Sequence, residues 1–167
     1  MSIVKLRAME PEDLDFLYNM ENDHEVWNVS NTNVPYSRYV LHDYIANATN
    51  DIYHDGQVRL IVENEEGKTV GMADVFDFNA QHRRAEISIV INRNYRQRGY
   101  AEAAITQIAE YSRRTLHLFQ LYAIVAENNN PSRRLFEKTG FKHAAKLEKW
   151  LFDGEKYENA IFFQRFL

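Results

Sequence analysis

Three arginines crowd into residues 92–99, a loop that joins a hydrophobic segment to an amphipathic one. They are Arg93, Arg96 and Arg98, and Gly99 follows directly. A helix that begins here exposes unpaired backbone N–H groups at the positive end of its dipole, where phosphate binds favourably. Glycine lets a ligand approach the backbone closely, and arginine forms charge-assisted hydrogen bonds with phosphate oxygens. The loop therefore predicts a site for a phosphate-bearing cofactor, although a basic loop before an ordinary helix has the same composition.

Hydrophobic periodicity on both sides of the loop predicts the elements that hold it. Residues 86–91 are rich in β-branched side chains and predict a strand, while the apolar face of residues 101–117 is typical of a helix. The patterns predict further strands at residues 3–7, 58–62, 70–78, 121–126, 141–152 and 156–166, and further helices at residues 14–20, 37–48 and 131–139. The order indicates a mixed α/β fold whose centre alternates strand and helix.

Composition narrows the class of protein. The 167 residues, 45% of them apolar, predict one domain that spans residues 1–167. With 20 basic and 24 acidic side chains the formal charge is -4, so we expect no nucleic-acid partner. The absence of cysteine excludes disulfides, thiolate metal ligands and a cysteine nucleophile. With no apolar run long enough for a membrane span or a signal peptide, we expect a cytoplasmic protein without a membrane or metal partner.

Two motifs resemble a known family. The first is similar to the Arg/Gln-x-x-Gly-x-Gly/Ala signature of the GNAT acetyltransferases and reads Arg96-Gln97-Arg98-Gly99-Tyr100-Ala101. Residues 129–141 resemble the second signature of that family, Asn-x-x-Ser/Ala-x-x-x-Tyr-x-Lys-x-Gly-Phe, at the expected distance downstream. Residues 82–86 and 150–160 are similar to the bacterial spermidine/spermine acetyltransferases and to the related ribosomal-protein acetyltransferases.

The resemblance implies the GNAT fold, a mixed and mostly antiparallel central sheet that is splayed after the strand at residues 86–91 and flanked by helices. Acetyl-CoA would be the co-substrate, with its pantetheine between that strand and the next and its pyrophosphate on the backbone amides that precede the long helix. The cofactor-binding residues that it implies are Ile89, Val90, Ile91, Arg96, Gln97, Arg98, Gly99, Tyr100, Ala101, Asn129 and Phe136.

Direct acetyl transfer needs a neutral amine, a polarised carbonyl and a proton for the leaving thiolate. Glu86 is the best-placed carboxylate to accept a proton or to hold a cationic substrate, and the alternative is a surface ion pair with Arg83 or Arg84. The usual acid of the family is a tyrosine, but here Phe136 stands in its place and cannot donate a proton. Ser132, one helical turn earlier, is the candidate acid, unless it is a structural hydroxyl. The departure predicts a slower enzyme with Glu86 and Ser132 as its catalytic residues.

The acceptor amine is expected to bind between the irregular segment at residues 24–35 and the C-terminal hairpin, because such loops carry specificity. Residues 28–36 are neutral, which weakens the case for spermidine. Nearby acidic side chains favour a cationic amine all the same, unless they are solvated helix charges: Glu21, Asp23, Glu25 and Asp43. Tyr122, on a core strand, is expected to pack rather than to catalyse.

The sequence therefore predicts an N-acetyltransferase that moves an acetyl group from acetyl-CoA to a polyamine or another small cationic amine by direct transfer in a ternary complex. A protein N-terminal acetyltransferase of the ribosomal type is one alternative. A non-catalytic acyl-CoA-binding module is another, and Phe136 motivates it. Exposed sheet edges and many aromatic residues predict a homodimer or a larger homo-oligomer.

Overall fold

The computed structural model describes residues 2–24 and 34–167. The strands are β1 (Val4–Ala8), β2 (Val58–Asn64), β3 (Thr69–Asn79), β4 (Arg84–Ile91), β5 (Gln120–Ala126), β6 (Lys142–Phe152) and β7 (Tyr157–Phe166). The helices are α1 (Leu14–Glu21), α2 (Arg38–Asn47), α3 (Ile52–Asp55), α4 (Tyr100–Arg114) and α5 (Asn130–Lys138), with short 3₁₀ turns at Pro11–Asp13 and Arg93–Tyr95. The strands form one sheet in the order β1-β2-β3-β4-β5-β7-β6.

The centre of the sheet is splayed, as the resemblance implies. Each neighbouring pair of strands is antiparallel except β4 and β5, which run parallel. Their register holds for only three pairs of residues, Arg84 with Gln120, Ala85 with Leu121 and Glu86 with Tyr122. Beyond these pairs β4 stays bonded to β3 as far as Ile91 but leaves β5. A gap therefore opens between two central strands of one sheet.

Helices cover both faces of this sheet. The apolar stripe of α4 buries Ala104, Ile105 and Ile108 against one face, where the main core lies. On the other face, α1 and α2 pack Leu17 and Leu41 against the strands in a second core cluster. This arrangement leaves the gap between β4 and β5 open at its wide end, where the loop before α4 begins.

The structure confirms the expected strands and adjusts the helices. Ser37 caps α2 as the sequence suggests, because its hydroxyl accepts a hydrogen bond from the Val40 N–H at 3.1 Å. The long helix ends at Arg114 rather than at residue 117, and His117 then has a left-handed φ of 53°, which a helix cannot continue through. The short helix α3 was not predicted, because its four residues are too few to show a helical period.

Within residues 2–24 and 34–167, every helix is too short or too polar to cross a membrane.

Gly71 brings β3 close to β4, and this contact gives a prediction about stability. A Cβ added at Gly71 would lie 2.5 Å from the Val90 carbonyl oxygen and 2.7 Å from Ile91 Cδ1. We expect Gly71→Ala to lower the free energy of unfolding by about 2–3 kcal/mol, because the two strands must separate. Urea denaturation of both variants measures it, with Gly154→Ala as the control.

The control separates crowding from backbone strain. Gly154 has a φ of 102° and open space around its Cβ position, so Gly154→Ala should cost only about 1 kcal/mol. Equal losses in the two variants would contradict the close approach of β3 and β4.

Candidate active site

The open edge of β4 forms one wall of the gap. The Asn92 N–H donates to the Val70 carbonyl in β3 at 2.8 Å, so by strand alternation the peptide groups of Val90 also face β3. Those of Ile89 and Ile91 face the gap instead. The backbone groups of Ile89 and Ile91 therefore face the gap and that of Val90 faces β3, while contacts of all three residues with the cofactor stay predictions.

The loop before α4 lies at the mouth of this gap. Gln97 and Gly99 both have left-handed φ values, 62° and 82°, and Gly99 caps the helix. The Ala103 N–H bonds the Gly99 carbonyl at 3.1 Å, which leaves the amides of the preceding helical residues without an intrahelical acceptor. The Tyr100 side chain is only 6% exposed in the main core, so Tyr100, like half-buried Ala101, offers its backbone.

The three arginines of the loop have different partners within the fold, and their contacts with phosphate stay a prediction. Arg93 donates to Asp23 at 2.9 Å, just after α1. Arg96 Nε donates to the carbonyl of Ile91 at 3.0 Å and so braces the end of β4. The Arg98 guanidinium lies 5.5 Å from the centre of the Tyr95 ring. Within residues 2–24 and 34–167, Arg98 makes no hydrogen bond to a carboxylate or a carbonyl, so its guanidinium is the best suited of the three to phosphate.

The second motif forms the start of α5. Asn129 is the N-cap, and its Oδ1 accepts a hydrogen bond from the Ser132 N–H at 3.3 Å. Half-buried Ser132 thus sits in the first turn of the helix, which is the structural position that the sequence left as the alternative to catalysis. A depression of about 800 Å³ lies beside Asn129, between the end of β5 and the turn of the C-terminal hairpin. Both residues therefore lie near the open end of the gap.

Phe136 is a core residue. Its side chain is 3% exposed, and its ring lies 5.1 Å from that of Phe141 and 6.2 Å from that of Phe163, between ring centres. The aromatic position of the motif is thus filled by a packed phenyl group. A contact between Phe136 and the cofactor stays a prediction.

Glu86 lies where β4 and β5 part. It is half-buried, opposite Phe76 of β3 and Tyr122 of β5. Burial, followed by the negative charge of Asp77, raises the pKa of the Glu86 carboxyl to about 7. The alternative role, an ion pair with Arg83 or Arg84, is not formed: neither arginine shifts the pKa of Glu86, and Arg83 Nε donates to the His117 carbonyl at 2.8 Å instead. A carboxyl with a pKa near neutrality is suited to proton transfer at that pH.

Asp77 and Tyr122 complete this cluster, and the sequence did not reveal their contact. The Tyr122 ring stacks on Phe162 with centres 5.1 Å apart, which confirms the expected packing. Its hydroxyl, however, donates to Asp77 Oδ2 at 2.5 Å. Burial and this hydrogen bond raise the pKa of Tyr122, so the tyrosine is a poor proton donor. The contact depends on a local irregularity in the register of β3, which the hydrophobic periodicity of the sequence does not predict.

Acidic side chains also line the sheet face under α1 and α2, on the same side as Glu86. Arg59 donates from Nε and Nη2 to the two carboxylate oxygens of Asp74, at 2.7 and 2.9 Å, and from Nη1 to Glu21. Glu21 and Asp23 are therefore in ion pairs rather than solvated, and Asp43 lines a groove of about 430 Å³ beside Arg59. Glu25 and most of the neutral segment at residues 28–36 lie outside the described residues.

Metal binding finds no support in the described ranges. Across residues 2–24 and 34–167, no three His, Asp or Glu side chains are grouped as a metal site.

Two parallel strands part to leave a gap, a helix begins at the mouth of the gap, and a carboxyl with a pKa of about 7 lies at its vertex. This combination defines the class of protein. Residues 4–142 match the model of the acetyltransferase (GNAT) domain, and the chain belongs to that family. It is an acetyl-CoA-dependent N-acetyltransferase.

Two similar proteins, one of them in two solved structures, have a more specific description. The chain is 31% identical over 162 residues to the spermidine N(1)-acetyltransferase of Escherichia coli strain K12, with 95% of this chain and 83% of that protein aligned. It matches the crystal structure of spermidine N-acetyltransferase from Vibrio cholerae in complex with CoA and spermine, with a TM-score of 0.86, 26% identity and coverage of 98% and 95% of the two chains. A dodecameric structure of the Vibrio cholerae enzyme in an intermediate state matches with a TM-score of 0.82, 27% identity and coverage of 98% and 94%.

The raised pKa of Glu86 predicts a pH-dependent stability. Between the ordinary value of 4.5 and about 7, the folded chain holds a proton on Glu86 that the unfolded chain has released. Stability is therefore lost as the pH rises through this window, by about 1–2 kcal/mol after allowance for partial exposure. Glu86→Gln has no such proton, so relative to the wild type it should gain this amount between about pH 5 and pH 8.

Urea unfolding of both proteins at the two pH values measures this difference. An unchanged difference in unfolding free energy between the two pH values would show that the pKa of Glu86 is ordinary.

Proposed function

We propose that the chain transfers an acetyl group from acetyl-CoA to a primary amine of a polyamine or another small cationic amine, directly and in a ternary complex. The observation that carries the proposal is the position of Glu86, a half-buried carboxyl with a pKa near 7 at the vertex where β4 and β5 part. The similarity to spermidine acetyltransferases supports the choice of acceptor.

The gap fits the coenzyme A part of the co-substrate. The peptide groups of Ile89 and the N–H of Ile91, which have no partner strand, would bond the amides of its pantetheine, as a neighbouring strand would; the Ile91 carbonyl already accepts from Arg96. The amides from Gln97 to Ala101 and the Arg98 guanidinium would hold its pyrophosphate. The left-handed φ of Gln97, a non-glycine residue, costs about 1 kcal/mol, and such local strain is often found at binding sites.

Glu86 would act on the acceptor. A polyamine amine carries a proton at neutral pH, and it must lose this proton before its nitrogen can attack. The Glu86 carboxylate, with a pKa near 7, can take the proton directly or through one water molecule. Bound acetyl-CoA supplies the thioester carbonyl, so that a C–N bond forms to this carbon as its C–S bond breaks.

The leaving thiolate needs a proton, and this half of the reaction is less well equipped. Tyr122 is engaged with Asp77 and has a raised pKa, and Phe136 has no hydroxyl group. The Ser132 hydroxyl, or solvent through the open end of the gap, would supply the proton. Serine is a weak acid, so the proposal includes a slow turnover.

Charge supports a cationic acceptor. On the face of the sheet that carries Glu86, Arg59 is matched by the two carboxylates of Glu21 and Asp74, and Asp77 adds another beside Glu86. The excess of negative charge attracts a polycation and disfavours an anion.

Composition and similarity support the setting of the reaction. The net charge of -4 and the absence of cysteine support a cytoplasmic enzyme with small-molecule rather than nucleic-acid partners. The dodecameric relative and exposed aromatic side chains on the C-terminal hairpin, among them Trp150, Phe152 and Tyr157, support a homo-oligomer.

A panel of acceptors tests the function. The purified chain is incubated with acetyl-CoA and spermidine, spermine, a monoamine or a lysine-free peptide with a free N-terminus, and the released thiol is measured. We expect saturable turnover with the polyamines, weaker turnover with the monoamine and none with the peptide.

Glu86→Gln should lower kcat at least about 100-fold, because it removes the proton acceptor.

The remaining outcomes identify the alternatives. Turnover of the peptide in preference to polyamines would indicate an N-terminal acetyltransferase, and binding of acetyl-CoA without turnover of any amine would indicate a non-catalytic module.

Ser132→Ala should lower kcat about tenfold without changing the KM for the amine if its hydroxyl is the acid. An unchanged kcat would assign the proton to solvent.

A further inference from the structure

Asp77 has an unusual position in the sheet. The register between β3 and β4 shifts between Phe76 and Asn79, and within this interval Asp77 has a left-handed φ of 50°. Aspartate tolerates this conformation better than most residues. In a regular strand neighbouring side chains point to opposite faces, and an irregularity of this kind redirects a side chain.

The redirected side chain reaches over a neighbouring strand. Tyr122 lies on β5 and Asp77 on β3, with β4 between them, so the two side chains, joined by a 2.5 Å hydrogen bond, together cross two strand spacings, about 10 Å. It crosses β4 next to Glu86, the last residue of β4 that is paired with β5. Stacking on Phe162 holds the Tyr122 ring from the other side. The hydrogen-bonded pair of Asp77 and Tyr122 therefore closes the vertex of the gap.

We propose that Asp77 is a positioning residue, which holds Tyr122 across β4 and keeps a fixed negative charge beside Glu86 so that Glu86 is an effective proton acceptor. The proposal rests on the role of Glu86 in the proposed function. In this proposal the proton acceptor is Glu86, and Asp77 acts on it through its charge and through its hold on Tyr122.

The charges around Glu86 agree with this role. From β3 it faces Asp77, whose charge raises its pKa, and from β5 it faces the Tyr122 hydroxyl. The charge of Glu86 raises the pKa of Tyr122 in turn, while Arg84 on β4 opposes that effect, so the three groups are electrostatically coupled. Among the groups of residues 2–24 and 34–167 that shift the pKa of Glu86, none is a cation.

Three variants test the proposal. Asp77→Asn removes the charge but keeps an oxygen that can accept the Tyr122 hydrogen bond, and Tyr122→Phe removes the bond but keeps the charge. The pKa of Glu86 is measured by NMR titration of ¹³C-labelled glutamate carboxyls, with its signal assigned by its loss in Glu86→Gln. The pH profile of kcat/KM for spermidine is measured in parallel. Asp51→Asn is the control, because it removes an exposed charge and retains a helix cap.

We expect Asp77→Asn to lower both the Glu86 titration midpoint and the acidic limb of the profile by about one pH unit. Tyr122→Phe should not lower either, and Asp51→Asn should leave both unchanged. A purely structural role for Asp77 would instead reduce stability and rate at every pH without moving the limb, and this result would overturn the proposal.

The measurements distinguish failure of the proposed function from failure of the inference about Asp77. If the wild type acetylates no amine, the proposed function is wrong, whatever the titration shows. If the wild type is active and Asp77→Asn leaves the midpoint of Glu86 in place, only the inference about Asp77 is wrong.

Discussion

The parting of β4 and β5 is the constraint on which the rest of the site depends. Central strands normally satisfy their peptide groups on both edges, and an unmet edge inside a sheet leaves strong donors and acceptors unpaired. Here the pairing stops after Glu86 and Tyr122, while β3 holds the other edge of β4 in place as far as Ile91. The fold thus maintains a rigid half-strand that lacks one partner, which is the shape of a site for an extended ligand with amide groups.

The same parting sets the chemistry of the vertex. A carboxyl in a fully paired sheet interior would need a cation to stay ionised, whereas Glu86 lies at the end of the pairing, half-buried and beside another carboxylate. Its pKa near 7 follows from this position. Protonation of the leaving thiolate has no comparably tuned acid, since Phe136 is packed between other aromatic rings and cannot release a proton. The site is therefore better suited to activate the amine than to protonate the thiolate.

Much of this arrangement could be predicted from the sequence, because it depends on local patterns. The arginine-glycine loop, the strand before it and the helix after it lie within about thirty residues, and the two motifs predict where the cofactor would bind. Glu86 was a candidate because it begins the strand beside that site. The partners of the arginines could not be predicted, since Arg93 meets Asp23 and Arg96 meets the end of its own strand only in the folded chain. The contact of Asp77 with Tyr122 depends on a shift of strand register, which leaves no periodic trace in the sequence.

If coenzyme A takes the place of a strand beside β4, its binding protects backbone amides of that strand, and amide hydrogen exchange measured by NMR with and without CoA detects this protection. We expect CoA to slow exchange at Ile89 and Ile91 at least about tenfold, because their N–H groups gain acceptors, and to leave the N–H of Val90, already turned toward β3, almost unchanged. Tight binding of CoA with no added protection at Ile89 and Ile91 would contradict it.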